Sequence, residues 1–116
     1  MHELGLTRDA VEMVIESSEA ASANKVLSAY FTVGSGRDVF EPLFRRVFEQ
    51  LTKKTIAEGC ELVINRVPLT ARCKACGLPY PVDPSDEATW SCPECCARDY
   101  VYHAGMEFTL DRVEIE

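Results

Sequence analysis

Apolar residues recur along the chain with two different periods, which predict an alternation of helices and strands. In residues 4–22 they recur at helical spacing and lead into an alanine-rich stretch, so we predict a first helix there. Residues 26–33 are rich in branched and aromatic side chains, which favours a strand. The alternating positions of this strand place four apolar side chains on one face: Leu27, Ala29, Phe31 and Val33.

A second helix is predicted from a longer apolar stripe. The members of the stripe recur at helical spacing and are Phe40, Leu43, Phe44, Val47, Phe48 and Leu51. Asp38, followed three residues later by Glu41, predicts a capping box at the start, where Pro42 is tolerated in the first turn. Gly59 predicts the end of this helix. A core-facing helix accounts for the whole stripe without a ligand pocket.

Two further strands are predicted in the second half of the chain. Residues 60–67 form one of them, with three apolar residues on one face: Cys60, Leu62 and Ile64. Residues 107–115 form the other, although their alternation changes phase at Arg112, which a β-bulge would explain.

Residues 70–103 differ from the rest of the chain in composition. They contain cysteines, prolines and glycine but few aliphatic residues, so we expect that they bury no core of their own and need a metal to fold. The expected fold class is α/β (α+β), a three-stranded sheet packed on two helices with an inserted four-cysteine zinc-binding segment. The expected domains are an α/β domain of residues 1–69 plus 104–116 and a zinc-binding domain of residues 70–103.

Two pairs of cysteines carry the strongest chemical signal. Cys73 and Cys76 form one Cys-x2-Cys hook, Cys92 and Cys95 form a second, and fifteen residues separate the two hooks. This spacing predicts a tetrahedral site of four thiolates, which suits zinc. Because four protein ligands leave no open position, the zinc would be structural and not catalytic.

The other candidate ligands have simpler interpretations. We interpret Cys60 as a small buried apolar residue, Cys96 as a bystander beside the preferred spacing, and His103 as a surface residue. Residues 73–95 also resemble the iron site of rubredoxins, which makes an electron carrier an alternative. Against it, the loop between the hooks is shorter than in a rubredoxin, and a rubredoxin has no use for two flanking helices.

Charge and composition argue against several classes of protein. The 116 residues include 12 Lys+Arg and 19 Asp+Glu, for a net charge of −7, and no basic stripe, so nucleic acid is not an expected partner. No apolar run approaches the roughly 20 residues that a membrane span needs, and no secretory signal is recognisable. Six cysteines without an export signal indicate a reducing compartment, so we expect a cytoplasmic protein that does not bind membranes.

The N-terminus offers a second kind of metal site. A free terminal amine, the backbone nitrogen of His2 and the His2 imidazole can form fused chelate rings in one plane, which Glu3 can complete. Square-planar nitrogen and oxygen donors suit Ni(II) or Cu(II) rather than zinc. Taken alone, His2 does not distinguish such a site from an ordinary solvated chain end.

Taken together, these features resemble the HypA family of nickel-insertion accessory proteins in nickel–iron hydrogenase maturation. The resemblance runs the full length of the chain. Its local matches are the Met-His-Glu-Leu start, residues 58–62, the two hooks with Arg72 and Pro93, and the closing residues 113–115.

The resemblance implies a metallochaperone and not an enzyme. Ni(II) would be exchangeable cargo held by His2 and Glu3 and passed to the hydrogenase large subunit, while zinc would stay on the four cysteines. The implied partners are the nickel GTPase HypB and the large subunit, and also urease maturation proteins where a relative serves urease. Some relatives have an acidic residue near the start of the second helix, where Asp38 and Glu41 lie here. The main alternative is a zinc-ribbon adaptor that binds protein partners without a second metal.

Overall fold

The structure, a computed structural model, describes residues 2–37 and 39–116, and the side chains of His2 and Glu3 lie outside what it describes. The chain divides into two compact units. The first comprises the described residues of Met1–Thr32 together with Val39–Asn65 and Thr109–Glu116. The second comprises the described residues of Val33–Asp38 together with Arg66–Phe108.

The described residues contain two α-helices and six strands. In chain order they are α1 (His2–Ala20), β1 (Val26–Gly34), α2 (Glu41–Leu51), β2 (Glu61–Val67), β3 (Thr70–Cys73), β4 (Pro79–Pro81), β5 (Tyr100–Ala104) and β6 (Phe108–Ile115). Two short 3-10 helices, Ser35–Arg37 and Glu87–Thr89, complete the list. No helix in this part of the chain is both long and apolar enough to cross a bilayer.

The predicted three-stranded sheet is confirmed, with strand order β2-β1-β6. Its central strand packs against α2 through aromatic rings, because Phe31 lies edge-on to Phe44 and Phe48 at centroid distances of 6.2 and 6.4 Å. The two helices also pack against each other. Edge-to-face pairs of this kind contribute about 0.5–1.5 kcal/mol each beyond the apolar area that they bury.

The phase change predicted in the last strand is also observed. Asp111 and Arg112 are both exposed, whereas Phe108 and Leu110 before them and Val113 after them are half-buried. The apolar side chains therefore switch parity at the predicted position.

Two residues predicted to face the core are exposed. Phe40 is 63% exposed, because it is the N-cap of α2 with an extended backbone and lies ahead of the helical stripe. Leu27 is 41% exposed, while its neighbour Val26 is fully buried and donates its N–H to the carbonyl of Ile56. Strict alternation therefore fails at the start of β1, where the strand is held by the segment that follows α2.

The predicted boundaries of α2 are wrong at its C-terminal end. The helix stops at Leu51 and not before Gly59, because Thr52 is the C-cap and turns follow it. The Thr52 hydroxyl donates to the carbonyl of Phe48 at 2.9 Å, and Lys54 adopts a left-handed φ of 64°. Phe40 caps the N-terminus without a side-chain hydrogen bond, and Asp38 of the predicted capping box lies outside the described residues.

A second sheet, which the sequence analysis did not predict, lies in the cysteine-rich segment. Its strand order is β4-β3-β5, and both pairings are antiparallel. The expectation that this segment buries no core is wrong, since four residues form a small buried cluster: Ala71, Cys73, Tyr80 and Cys92. Two of the four are metal-ligand candidates, so the core of this unit and its metal site are built together.

Candidate metal centre

Each cysteine hook is a tight turn closed by the same two backbone hydrogen bonds. In the first hook, the N–H of Gly77 donates to the carbonyl of Cys73 at 2.8 Å, and the N–H of Cys73 donates to Leu78 at 2.9 Å. In the second hook, the N–H of Cys96 donates to Cys92, and the N–H of Cys92 donates to Ala97, both at 2.9 Å. We call these two turns the knuckles. Their shared geometry directs both sulfurs of a hook to the same side.

The residue after each second cysteine turns the chain back in a left-handed conformation. Gly77 has a φ of 81°, which glycine adopts without cost. Cys96 has a φ of 63° at the equivalent point, where a residue with a Cβ is disfavoured by about 1 kcal/mol or more. Its side chain is exposed. The turn therefore accommodates Cys96 by pointing its side chain into solvent.

The four predicted zinc ligands come together. The sulfurs of Cys73, Cys76, Cys92 and Cys95 all lie within 4.8 Å of one another, and no other His, Cys, Asp or Glu among the described residues joins them. Two sulfur contacts cross between the knuckles, at 3.5 Å from Cys73 to Cys95 and 3.6 Å from Cys76 to Cys92. A tetrahedron with Zn–S bonds of about 2.3 Å has edges of about 3.8 Å. The sulfur positions therefore fit a tetrahedral metal ion of this size.

Backbone N–H groups orient the sulfurs and stabilise their negative charge. The N–H of Cys76 donates to the Cys73 sulfur, that of Leu78 donates to Cys76, and that of Ala97 donates to Cys95. Such donors fix the direction of metal ligands and favour the thiolate form, which is the form that binds metal.

The thiols of the cluster cannot all ionise without a cation. Hydrogen bonding from the Cys76 N–H lowers the pKa of Cys73 to about 7. The pKa of Cys95 rises to about 12: the Ala97 N–H lowers it, but contact with the Cys73 sulfur, burial and contact with Cys92 together outweigh that effect. Like charges a few ångströms apart push the titrations of neighbouring groups apart. A bound dication removes this penalty, so the donor set fits zinc.

Tyr80 closes the apolar side of this site, a role that the sequence analysis missed. Its ring is 3% exposed within the small core, and its hydroxyl donates to the carbonyl of Trp90 at 3.3 Å. Burial, together with the nearby Cys73 and Cys92, raises the pKa of Tyr80. The signal was present in the aromatic residue that follows Gly77 by three positions.

The nickel ligands predicted at the N-terminus lie at the first residues of α1. The helix begins at His2, so the backbone of His2 and Glu3 is helical, and their side chains are outside the described set. Of the two acidic residues noted near α2, Asp38 is also outside it. The other, Glu41, accepts hydrogen bonds from Arg45 at 3.0 and 3.3 Å. Glu41 is therefore already paired with a cation.

The remaining cysteine and histidine do not join the cluster. Cys60 is half-buried, and its burial raises the pKa of the thiol. It borders a cavity of about 470 Å³ with Phe48 and Leu62. His103 is exposed, and the guanidinium of Arg72 lies 3.2 Å from its Nδ1, which accepts a hydrogen bond from Arg72 only when Nδ1 carries no proton. The exposed position of His103 agrees with its interpretation as a surface residue.

Comparison with known proteins places this chain beside one group of relatives. The family model described as "Hydrogenase/urease nickel incorporation, metallochaperone, hypA" matches residues 1–115. The chain is 32% identical over 116 residues to the hydrogenase maturation factor HypA of Dehalococcoides mccartyi, covering all of this chain and 95% of that protein. It is 32% identical over 120 residues to the same factor from Geobacter metallireducens, with both chains fully covered.

Solved structures show the same fold. The solution structure of the Ni metallochaperone HypA from Helicobacter pylori superposes with a TM-score of 0.70 at 19% identity, covering 99% of this chain and 97% of that chain. A second HypA solution structure gives a TM-score of 0.72 at 20% identity. At this level of identity, the likeness concerns the fold alone.

Proposed function

Because this chain belongs to the HypA family of metallochaperones for hydrogenase maturation, we propose that it binds Ni(II) at its N-terminus and delivers it to the large subunit of a nickel–iron hydrogenase. The observation that carries the proposal is the extent of the family match. It runs through residues 1–115 and so includes His2, Glu3 and all four clustered cysteines. In this proposal the protein transfers a metal ion and catalyses no reaction.

The start of α1 supports a nickel site that uses the backbone. The first four N–H groups of an α-helix have no intrahelical acceptor. Because α1 begins at His2, the amide nitrogens of His2 and Glu3 are available to a metal ion without the loss of a helical hydrogen bond. We propose that Ni(II) is held by the His2 imidazole and backbone nitrogens with help from Glu3. In this proposal the Ni(II) is exchangeable cargo.

The four clustered cysteines supply the resident metal. Zinc bound by Cys73, Cys76, Cys92 and Cys95 would neutralise half of the thiolate charge and join the two knuckles. All four positions of the tetrahedron would be filled by protein, so this site holds structure and does not carry cargo. The two metal sites share no ligand.

The proposed partners are proteins: the nickel GTPase HypB, the hydrogenase large subunit and, where urease is present, urease maturation proteins. A net charge of −7 disfavours nucleic acid as a partner, since phosphate binding requires a basic surface. The six unpaired cysteines agree with the reducing environment of the cytoplasm, where we place this protein.

Equilibrium dialysis of the zinc-loaded protein against Ni(II) tests the proposed function. We expect about one Ni(II) per chain, with an affinity that falls as the pH drops through the histidine range near ~6.5, because the imidazole must be deprotonated to bind. His2→Ala should abolish nickel binding and leave zinc in place. His103→Ala is the matched control, since it removes the only other histidine from an exposed position. This control should bind nickel normally.

An extension placed before Met1 separates the contribution of the terminal amine from that of the imidazole. It leaves every side chain intact, so weaker nickel binding identifies the amine as a ligand. Unchanged nickel affinity in His2→Ala contradicts the proposed site, and the zinc-ribbon adaptor is then the better interpretation. Iron in place of zinc on elemental analysis favours the electron carrier.

A further inference from the structure

The residues of the four-cysteine site differ in exposure in a regular way. Cys73 and Cys92, the first cysteine of each knuckle, are buried, and Cys76 and Cys95, the second of each, are exposed. Two sulfur contacts join an exposed cysteine of one knuckle to a buried cysteine of the other, at 3.5 Å from Cys95 to Cys73 and 3.6 Å from Cys76 to Cys92. Each of these pairs therefore combines one exposed cysteine with one buried cysteine.

We propose that this site is a peroxide-sensitive switch in which oxidation joins Cys73 to Cys95 and Cys76 to Cys92 and expels the metal. The inference rests on the zinc assignment made above. It adds that an oxidant acting on the same four sulfurs would convert the metal-bound form of this unit to a metal-free form with two disulfides. A disulfide sulfur carries no negative charge, so a pair that is oxidised no longer provides thiolate ligands.

The chemistry needs one peroxide for each disulfide. The thiolate of the exposed cysteine attacks hydrogen peroxide, the O–O bond breaks, and a sulfenic acid and hydroxide form. The buried thiolate of the opposite knuckle then attacks that sulfur, the S–O bond breaks, and a second hydroxide leaves. Two protons from the buffer convert the two hydroxides to water. Two thiolates are thus oxidised by two electrons, and the peroxide is reduced to two water molecules.

The cross-knuckle connectivity has a structural consequence. It links residues 22 and 16 positions apart, whereas disulfides within the hooks would link residues only three apart. A cross-link that closes a longer loop removes more conformational freedom from the unfolded chain. The oxidised, metal-free segment would therefore keep its two knuckles together, and a dithiol reductant with zinc would restore the starting state.

The positions of acidic and basic residues allow the three possible connectivities of the four cysteines to be told apart. Cleavage after Arg72, Lys74 and Arg98 with trypsin, and after Glu87 and Glu94 with a glutamate-specific protease, separates the cysteines into four peptides. They are residues 73–74, 75–87, 88–94 and 95–98. The switch predicts that 73–74 is linked to 95–98 and that 75–87 is linked to 88–94. Linkage within the hooks would pair 73–74 with 75–87 instead.

The experiment treats the zinc-loaded protein with hydrogen peroxide, measures released zinc with a chromogenic chelator and maps the peptides by mass spectrometry. We expect about one zinc released per chain together with the cross-knuckle linkages, and recovery of zinc binding after reduction. Cys96→Ser is the matched control, because it removes an exposed thiol beside Cys95 that lies outside the cluster. This variant should release zinc and form the same linkages.

Four results would overturn the switch. They are any other pairing of the four cysteines, oxidation to sulfinic acid without disulfides, retention of zinc at a peroxide concentration that oxidises free thiols in the same solution, and loss of the linkages in Cys96→Ser. Peptide mapping of metal-free protein tests the connectivity independently of zinc. If the purified protein contains no zinc, the zinc assignment fails and the mapping still decides the proposed linkages.

Discussion

Ser18 should be a source of instability in the first unit. Its side chain is fully buried on α1, and its hydroxyl has no hydrogen-bond partner among the described residues. A serine within a helix can donate to the carbonyl four residues earlier, but here that contact is not made. We predict that Ser18→Ala stabilises the protein, because it removes a buried polar group and keeps the shape of the site.

The size of the effect follows from two contributions. An unsatisfied buried hydroxyl costs about 1–3 kcal/mol, and replacing serine by alanine within a helix adds about 0.5 kcal/mol of helix propensity. The small void left by the oxygen offsets part of this gain, so we expect a net increase of about 1–2 kcal/mol in the free energy of unfolding. Ser17→Ala is the matched control, since Ser17 is exposed on the same helix and gains only the propensity contribution.

Urea denaturation of the zinc-loaded protein, followed by circular dichroism at a helix wavelength, measures the difference. The helical signal reports on α1 and α2, which both lie in the first unit. With an unchanged slope, the midpoint should rise by about 0.5–1 M for Ser18→Ala and by less than half of that for Ser17→Ala. Equal shifts in the two variants would refute the argument and would indicate that the Ser18 hydroxyl is satisfied by a buried water molecule.

Three other predictions concern the core, a surface carboxylate and the metal. Phe44→Ala should lower the free energy of unfolding by about 3–5 kcal/mol in urea titrations, whereas Phe40→Ala, at an exposed position, should change it by less than about 0.5 kcal/mol. Tyr30 donates to Glu114 at 2.6 Å and lowers the pKa of that carboxyl. Tyr30→Phe should therefore lower the free energy of unfolding at neutral pH. The difference in this free energy from the parent protein should disappear as the pH falls through the folded-state pKa of Glu114, which lies below its ordinary value of 4.5. A constant difference down to about pH 2.5 would contradict this. Cys92→Ser should release zinc and accelerate amide exchange in residues 70–103 while the helical signal is kept, and protection that persists there without metal would count against the zinc assignment.

Much of the fold of the first unit was predictable from periodicity. The helical stripe that contains Phe44 and Phe48 and the alternation around Phe31 each identify the side chains that meet in its core. The end of α2 was not predictable in the same way. Gly59 is an ordinary helix terminator by type, but Thr52 ends the helix earlier through a hydrogen bond to Phe48. A hydrogen bond from one side chain to the backbone leaves no periodic pattern in the sequence, so periodicity does not predict this end of the helix.

The metal site, too, was predictable from the sequence only in part. The hook spacing predicts which four cysteines cluster before any coordinates are known, because two cysteines on one tight turn direct their sulfurs to the same side. Spacing says nothing about Tyr80, which is buried beside the sulfurs, or about which sulfurs approach across the knuckles. Those contacts depend on the antiparallel pairing of β3 with β4 and β5, in which Ala71 lies opposite Tyr80.

The sequence by itself determined the features that are local along the chain: the helical and strand periods, the two hooks, the acidic charge and the N-terminal His2-Glu3 pair. Apart from the charge, which is a sum over the whole chain, each of these features arises from residues that are near one another in sequence, so the local backbone sets its geometry. Only the tertiary structure decided that the cysteine-rich segment has a sheet and core of its own, and that Cys73 meets Cys95 while Cys76 meets Cys92. The two sulfur contacts join residues 16 or more positions apart, and such contacts form only when strand pairing and side-chain packing offset the entropy of closing the loops between them.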